Sequence, residues 1–225
     1  MAVEIISLGH PITVHDPNPP AIPAPEISQL YTIAADAANV FILKIALHSG
    51  THVDAPAHVI ESGLHITDFS PPELIFTRPV LVDLKLNDAQ IVEPEHLRPA
   101  IEAGKAADLL LLRFGYGPAR REEPQRFRER CPGLGVAAAE YLRAALPGLR
   151  ALGMDVPSLA CIAHLEQTMS VHNVLLEGEG RRFLVIEDMN LEQDLRGLQR
   201  VILAPWQVDG VDSTPCTIFG ERQID

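Results

Sequence analysis

The chain has 225 residues, 47% hydrophobic and 21% charged, with a formal net charge of −12. That balance, without any Lys/Arg-rich run, excludes nucleic acid as a partner, because phosphate neutralisation needs a basic face. No segment approaches the roughly 20 apolar residues that a membrane helix requires. What remains is the composition of a globular protein whose length suits one well-cored domain, residues 1–225, with a proline-rich arm at 11–25. Met1 to His10 lacks a basic start and a long apolar core, which reads against a secretory leader. Three widely spaced cysteines, Cys131, Cys161 and Cys216, suit reduced thiols in a cytoplasm better than a disulfide framework.

In chain order, Ala2 to Leu8 has the pattern of a first strand. Pro11 to Pro25 holds six prolines, which fix φ without forming hydrogen-bonded structure. This arm reads equally as a surface connector, a flap over a pocket or a reach toward a partner subunit. Val40 to Leu47 reads as a strand. Ser70 to Leu74 should open a helical turn, Pro79 to Leu84 a strand, and Glu93 to Ala103 a helix closed by Gly104. Ala107 to Arg113 is apolar enough to be a strand buried on both faces. Phe114 to Gly133 is rich in Gly, Pro and charge and reads as a long loop, with Arg120-Arg121 and Glu122-Glu123 as its solvated face. Val136 to Leu146 and Leu165 to Leu176 have helical character; Leu149 to Met154, Phe183 to Ile186 and Val201 to Leu203 are strand-like. Short apolar runs between helices predict an α/β or α+β domain.

Between the Val40 strand and the first helical turn lies HSGTHVDAPAH, His48 to His58. It holds three of the nine histidines of the chain, together with an aspartate. Imidazoles and a carboxylate at short spacing are the donors a divalent cation needs, and they are poor choices for an unsatisfied core. Ser49-Gly50-Thr51 and Pro56 argue against a helix here. On an extended chain, His48, His52 and Asp54 share a face. Gly50 lets the backbone bend toward an ion, and Pro56 turns the chain so that His58 can return to the same place.

This motif resembles the signature of the metal-dependent cyclase-like hydrolases, a family that includes bacterial kynurenine formamidases and isatin hydrolases. Further blocks are similar and fall in the family's order: LLLRFG (110–115), PGLG (132–135), GMDVPS (153–158), VHNVLL (171–176), VIEDMNL (185–191) and DSTP (212–215). The resemblance implies a swivelling β/β/α domain with a mixed, partly barrel-like sheet, assembled as a homodimer or larger homo-oligomer. It implies His48, His52, Asp54, His172 and Glu187 as ligands of one or two divalent ions, zinc ahead of manganese, and His58 as the proton carrier. Glu177 and Glu179 rival Glu187, because a few extra residues surround Gly178 to Arg182. The arm has no aromatic residue before Tyr31, and Cys216-Thr217 stands where relatives often carry a nearby arginine, so the resemblance specifies the metal chemistry better than the substrate.

The expected reaction is hydrolysis of a small amide C–N bond by water activated at the ion. Formation of kynurenine and formate from N-formylkynurenine is the first expectation; opening of an isatin-type cyclic amide or a lactone is the second. A protein that only binds a metal or small ligand is a third. Asp155 and Ser158 read either as supports of the site or as structural caps. His10 and His15 could line the pocket if the arm folds over it, and His65, His96 and His164 read as ordinary.

Overall fold

The computed structural model describes residues 2–178 and 182–224. Its strands are β1 Ala2–Ser7, β2 Glu26–Tyr31, β3 Val40–Lys44, β4 His52–Asp54, β5 Ile75–Phe76, β6 Pro79–Asp83, β7 Ile91–Val92, β8 Leu109–Arg113, β9 Gly133–Leu134, β10 Ala151–Met154, β11 Leu184–Glu187, β12 Leu198–Pro205 and β13 Ser213–Ile224. The helices are α1 Ile33–Asp36, α2 Arg98–Ala103, α3 Gly117–Glu122, α4 Pro124–Arg130, α5 Val136–Ala145 and α6 Thr168–Leu176.

The main sheet runs β5-β12-β13-β4-β11-β10-β8-β6, with β1 added along β13. The β6, β8, β10 and β11 pairings are parallel, and those from β11 through β4, β13 and β12 to β5 are antiparallel. The two ends of this path, β5 and β6, are joined only by Thr77-Arg78, so the sheet curls round until it nearly closes. Asp108, at the entry to β8, fastens that seam: its carboxylate accepts from Thr77 N and Arg78 N, each at 2.9 Å. The expected mixed, partly barrel-like sheet is therefore present.

Alternation of side chains divides the core in two. Leu109 and Leu111 of β8 pack inside the curl with Val53, Phe76, Ile186 and Ile218. Leu110 and Leu112 face outward onto Ala138, Ala139 and Leu142 of α5. The all-apolar β8 run is buried on both faces, as its composition predicts.

Several expectations are corrected. The strand before the motif ends at Lys44 and pairs with β2 alone, in a separate hairpin, while the chain turns through 47–51 with Gly50 at φ +61°. The Glu93 helix begins only at Arg98. Residues 114–133 are no loop: Pro118 and Pro124 sit in the first turns of α3 and α4, where a missing N–H costs nothing. The longest strand, β13, hides behind Pro215 and Gly220. Gly220 belongs there because a Cβ would stand 2.8 Å from Leu198 Cδ1 and 3.1 Å from Leu8 Cδ1.

Candidate metal centre

Strand parity puts the site on the outer face of the curl. Val53 and Ile186 point inward, so His52, Asp54 and Glu187 point outward from adjacent antiparallel strands, with His52 directly opposite Glu187. Helix α6 lies over this face and delivers His172. Two backbone carbonyls set the imidazoles: His52 Nδ1–H donates to Gly50 O at 2.8 Å and His172 Nδ1–H to Thr168 O at 2.7 Å. Both rings thereby turn Nε2 into the cluster, the usual way a ligating histidine is oriented. Glu187 is anchored by Leu159 N–H, 2.6 Å from Oε1.

Around these groups the distances are short. His52 Nε2 is 3.1 Å from Glu187 Oε2 and 3.7 Å from Asp54 Oδ1; His172 Nε2 is 3.4 Å from Glu187 Oε1. His48 comes from the turn, not from a strand, yet its Nδ1 lies 3.1 Å from Asp54 Oδ1. His52 Nε2 and both Asp54 oxygens are buried without a hydrogen bond. Orphaned donors and acceptors of this kind are costly unless something else satisfies them. The N/O donor set, convergent and buried, fits a divalent cation. Electrostatics agree: burial opposes charge on His48, but the Asp212 and Asp54 carboxylates lift it to about 10. Burial likewise opposes ionisation of Asp54, yet the surrounding imidazoles hold it well below the usual carboxylate range. The cluster is built to hold positive charge among carboxylates.

His58 closes the Pro56–His58 turn and is about a fifth exposed. Its Nδ1 lies 2.9 Å from Asp212 Oδ2, the same oxygen that is 3.2 Å from His48 Nε2. The His58 ring stands 4.4 Å from that of His48 and 5.3 Å from that of His172. His58 could also join Asp54 and His172 around an ion. Asp212 was absent from the candidate set drawn from the motif; its only signal was the acid heading DSTP, and Ala55 N–H donating to Asp212 O places it beside the motif.

All six candidates, His48, His52, Asp54, His58, His172 and Glu187, line one cavity of about 420 Å³. The proline-rich arm is its wall, through Pro19, Pro20, Ala21 and Ile22. Asn18 pins the arm to the motif: its Nδ2 donates to Ser49 Oγ at 3.0 Å, and Gly50 N–H donates to its Oδ1 at 3.1 Å. Ser158 also lines the cavity. Asp155 does not; it caps the 114–116 backbone, accepting from Phe114, Gly115 and Tyr116 N–H. Glu177 is exposed, and Glu179 lies outside the described residues. His164 is half-buried and lies 3.8 Å from Glu166, away from the cavity. His10 sits beside Asp188, 4.0 Å away, rather than in the cavity.

The reading of Arg120 as a solvated charge is also corrected. It is nearly buried on α3, with Nε 2.7 Å from Asp188 Oδ1 and Nη2 3.2 Å from Asp16 Oδ1. Asp188 follows Glu187 with φ +51°, and its carbonyl accepts from Thr51 Oγ1 at 2.6 Å. Arg120 thus ties the arm to the end of β11.

The Cyclase family matches residues 6–160, and the chain belongs to that family. It is 28% identical over 179 residues to "Kynurenine formamidase" of Salinibacter ruber, covering 79% of this chain and 77% of that one. "Cyclase-like protein 1" of Arabidopsis thaliana is 25% identical over 185 residues, 79% of this chain and 68% of the relative. Among solved structures, an isatin hydrolase bound to the product analogue thioisatinate superposes with a TM-score of 0.81 at 19% identity, over 99% of this chain and 93% of that one. Isatin hydrolase A of Labrenzia aggregata gives 0.79 at 17% identity, over 99% and 94%. These superpositions establish the fold.

Proposed function

We propose that this protein is a metal-dependent hydrolase of small, uncharged amides, with ring amides of the isatin type as its best substrates. The observation that carries this reading is a buried His/Asp/Glu cluster forming the floor of a cavity with apolar walls. A bound divalent ion, zinc or manganese, would lower the pKa of water toward ~7 and polarise the scissile carbonyl. In this reading His48, His52, Asp54, His172 and Glu187 hold the ion or ion pair, with Nδ1 of His52 and His172 engaged by carbonyls so that Nε2 is the ligating atom.

His58 moves the proton. Its Nδ1–H is held by Asp212 Oδ2, which leaves Nε2 to take a proton during attack and return it to the departing nitrogen. Asp212 orients the ring. The arm residues exclude bulk water from the cavity.

Two substrate classes are supported by different observations. The Salinibacter ruber relative favours an arylformamidase acting on N-formylkynurenine. The cavity favours a neutral ring: Pro19, Ile22, Pro157, Ile162 and Met169 are apolar, and among the described lining residues there is no Lys or Arg to pair with a substrate carboxylate. We follow the cavity. Three buried free thiols fit a reducing compartment, and we place the protein in the cytoplasm.

The test is direct. Protein loaded separately with zinc and with manganese is given isatin and N-formylkynurenine, and product is followed by absorbance. Faster turnover of isatin supports the neutral-ring reading; faster turnover of N-formylkynurenine transfers it to the formamidase class. Stoichiometric metal with no turnover of either would make the protein a metal-binding or ligand-binding member instead.

A further inference from the structure

Three buried charged side chains stand outside the cavity and take part in no step of the proposed reaction: Asp16 of the arm, Arg120 of α3 and Asp188 just after β11. Asp16 and Asp188 are 6% and 4% exposed. Arg120 Nε and Nη2 donate to the two Asp188 oxygens at 2.7 and 2.8 Å, and Nη2 also donates to Asp16 Oδ1 at 3.2 Å. A planar guanidinium can grip one carboxylate with two N–H groups and still reach a second; an ammonium is only a point charge. Taking such charges out of water is costly, and apolar side chains of similar volume often stabilise a fold as well or better. Adhesion alone is a poor reason for this triad.

What its two ends hold is more informative. Asp188 directly follows Glu187, the last residue of β11, and takes φ +51°. A residue with a Cβ keeps that conformation only where its surroundings impose it. Three contacts do so: Asp188 N–H donates to Val156 O at 2.8 Å, its carbonyl accepts from Thr51 Oγ1 at 2.6 Å, and its carboxylate is held by Arg120. At the other end, Asp16 lies three residues before Pro19, which walls the cavity. Its carboxylate accepts from Thr13 N–H at 2.9 Å and rests against the turn that carries His48, where a Cβ on Gly50 would stand 3.3 Å from Asp16 Oδ2.

We infer that Arg120 is a positioning residue that couples the arm to the metal centre. One guanidinium holds both the cavity wall and the turn behind Glu187, so an occupied centre and a closed wall favour each other. Such coupling is reciprocal. Whatever steadies Glu187 steadies Asp188 and, through Arg120, Asp16; whatever frees Asp16 loosens the backbone that presents Glu187. Arg120 does not itself line the cavity and acts only through these two partners. The coupling rests on the reading of Glu187 as a ligand in the proposed function.

Amide exchange on the full chain, with and without zinc, tests the coupling without any turnover. Zinc should slow exchange in residues 13–22 of the wild type, and should not do so in Asp16→Asn. The same variant should bind zinc about 5-fold or more weakly, the low end of common coupling strengths. At saturating zinc it should raise KM several-fold while kcat stays within about 2-fold, because the wall acts on binding. Arg126→Gln removes an exposed pair with Asp88 on the neighbouring α4 and should leave all three readouts unchanged. A merely structural triad would lower the urea midpoint of Asp16→Asn and move neither zinc affinity nor KM, which overturns the inference. Should Asp16→Asn fail to fold, the wild type decides: zinc that binds without slowing exchange in 13–22 overturns the coupling and leaves the hydrolase reading standing. A wild type that binds no zinc or manganese overturns both.

Discussion

His52 and Glu187 stand opposite each other on adjacent antiparallel strands, Nε2 and Oε2 3.1 Å apart, although they lie 135 residues apart in the chain. Each is nearly sealed from solvent, and each is fixed by a backbone partner, Gly50 O for the imidazole and Leu159 N–H for the carboxylate. Glu187→Gln should therefore weaken divalent-ion binding by about 100-fold or more, beyond the loss typical of an outer partner. Titration calorimetry with zinc measures this. Glu177→Gln should bind as the wild type does; equal loss in the two variants would remove Glu187 from the ligand set.

His58→Ala should lower kcat by about 10²–10⁴ while metal content stays at the wild-type level. Asp212→Asn should lower kcat by about 10-fold or more with KM little changed, because it acts on the ring and not on the substrate. Elemental analysis beside steady-state kinetics separates the roles: metal lost together with activity in His58→Ala would make His58 a ligand.

Gly63 offers a test of how closely His58 must be placed. A Cβ there would stand 2.5 Å from Pro56 C and Ala57 N, in the turn that carries the imidazole. Backbone must give way, and Gly63→Ala should reduce kcat by about 10²-fold, the effect of misplacing a reacting group by about 1 Å. Bound metal should be unchanged. Wild-type turnover in this variant would show that the turn is not what sets the position of His58.

Arg120→Ala leaves Asp16 and Asp188 buried without their cation, and should cost about 3–5 kcal/mol in urea unfolding. A loss under about 1 kcal/mol would return Arg120 to the class of surface charges.

Asp108 supplies the pH dependence. Burial opposes its ionisation, but Thr77 N–H, Arg78 N–H and Arg150 outweigh burial and hold it below its ordinary value of 3.8. The folded pKa is the lower one, so the unfolded chain takes up the proton first as pH falls. The stabilisation is complete above about pH 4 and is lost below it as pH passes the folded pKa. Asp108→Asn should be about 2–3 kcal/mol less stable at pH 7, and the gap to wild type should narrow between pH 4 and pH 2. A gap constant over that range would sink this account.

The candidate metal centre is legible in the sequence to an unequal degree. His48, His52, Asp54 and His58 lie within eleven residues, and strand parity with one bend at Gly50 suffices to bring His52 and Asp54 to a common face. His172 and Glu187 were reached through the resemblance of their blocks, and the fold brings them to the same cavity. Asp212 and Arg120 carried too little local signal, since an acid before a strand or a paired Arg-Arg is usually solvated. Strand β3 is legible at Val40, but β2 and β13 are not: β2 exposes every residue and so shows no inward-outward alternation, and β13 carries the local breakers Pro215 and Gly220.

By itself, then, the sequence determined the donors of the first half of the site and the inward and outward alternation of the buried strands, because both follow from chemistry and a two-residue period. Only the tertiary structure decided that the arm walls the cavity, that Arg120 holds it, and that Asp212 serves both His48 and His58. Those contacts join segments up to 164 residues apart, brought together by the pairing of β4 with β11 and β13, strands distant in the chain whose partners no local pattern records.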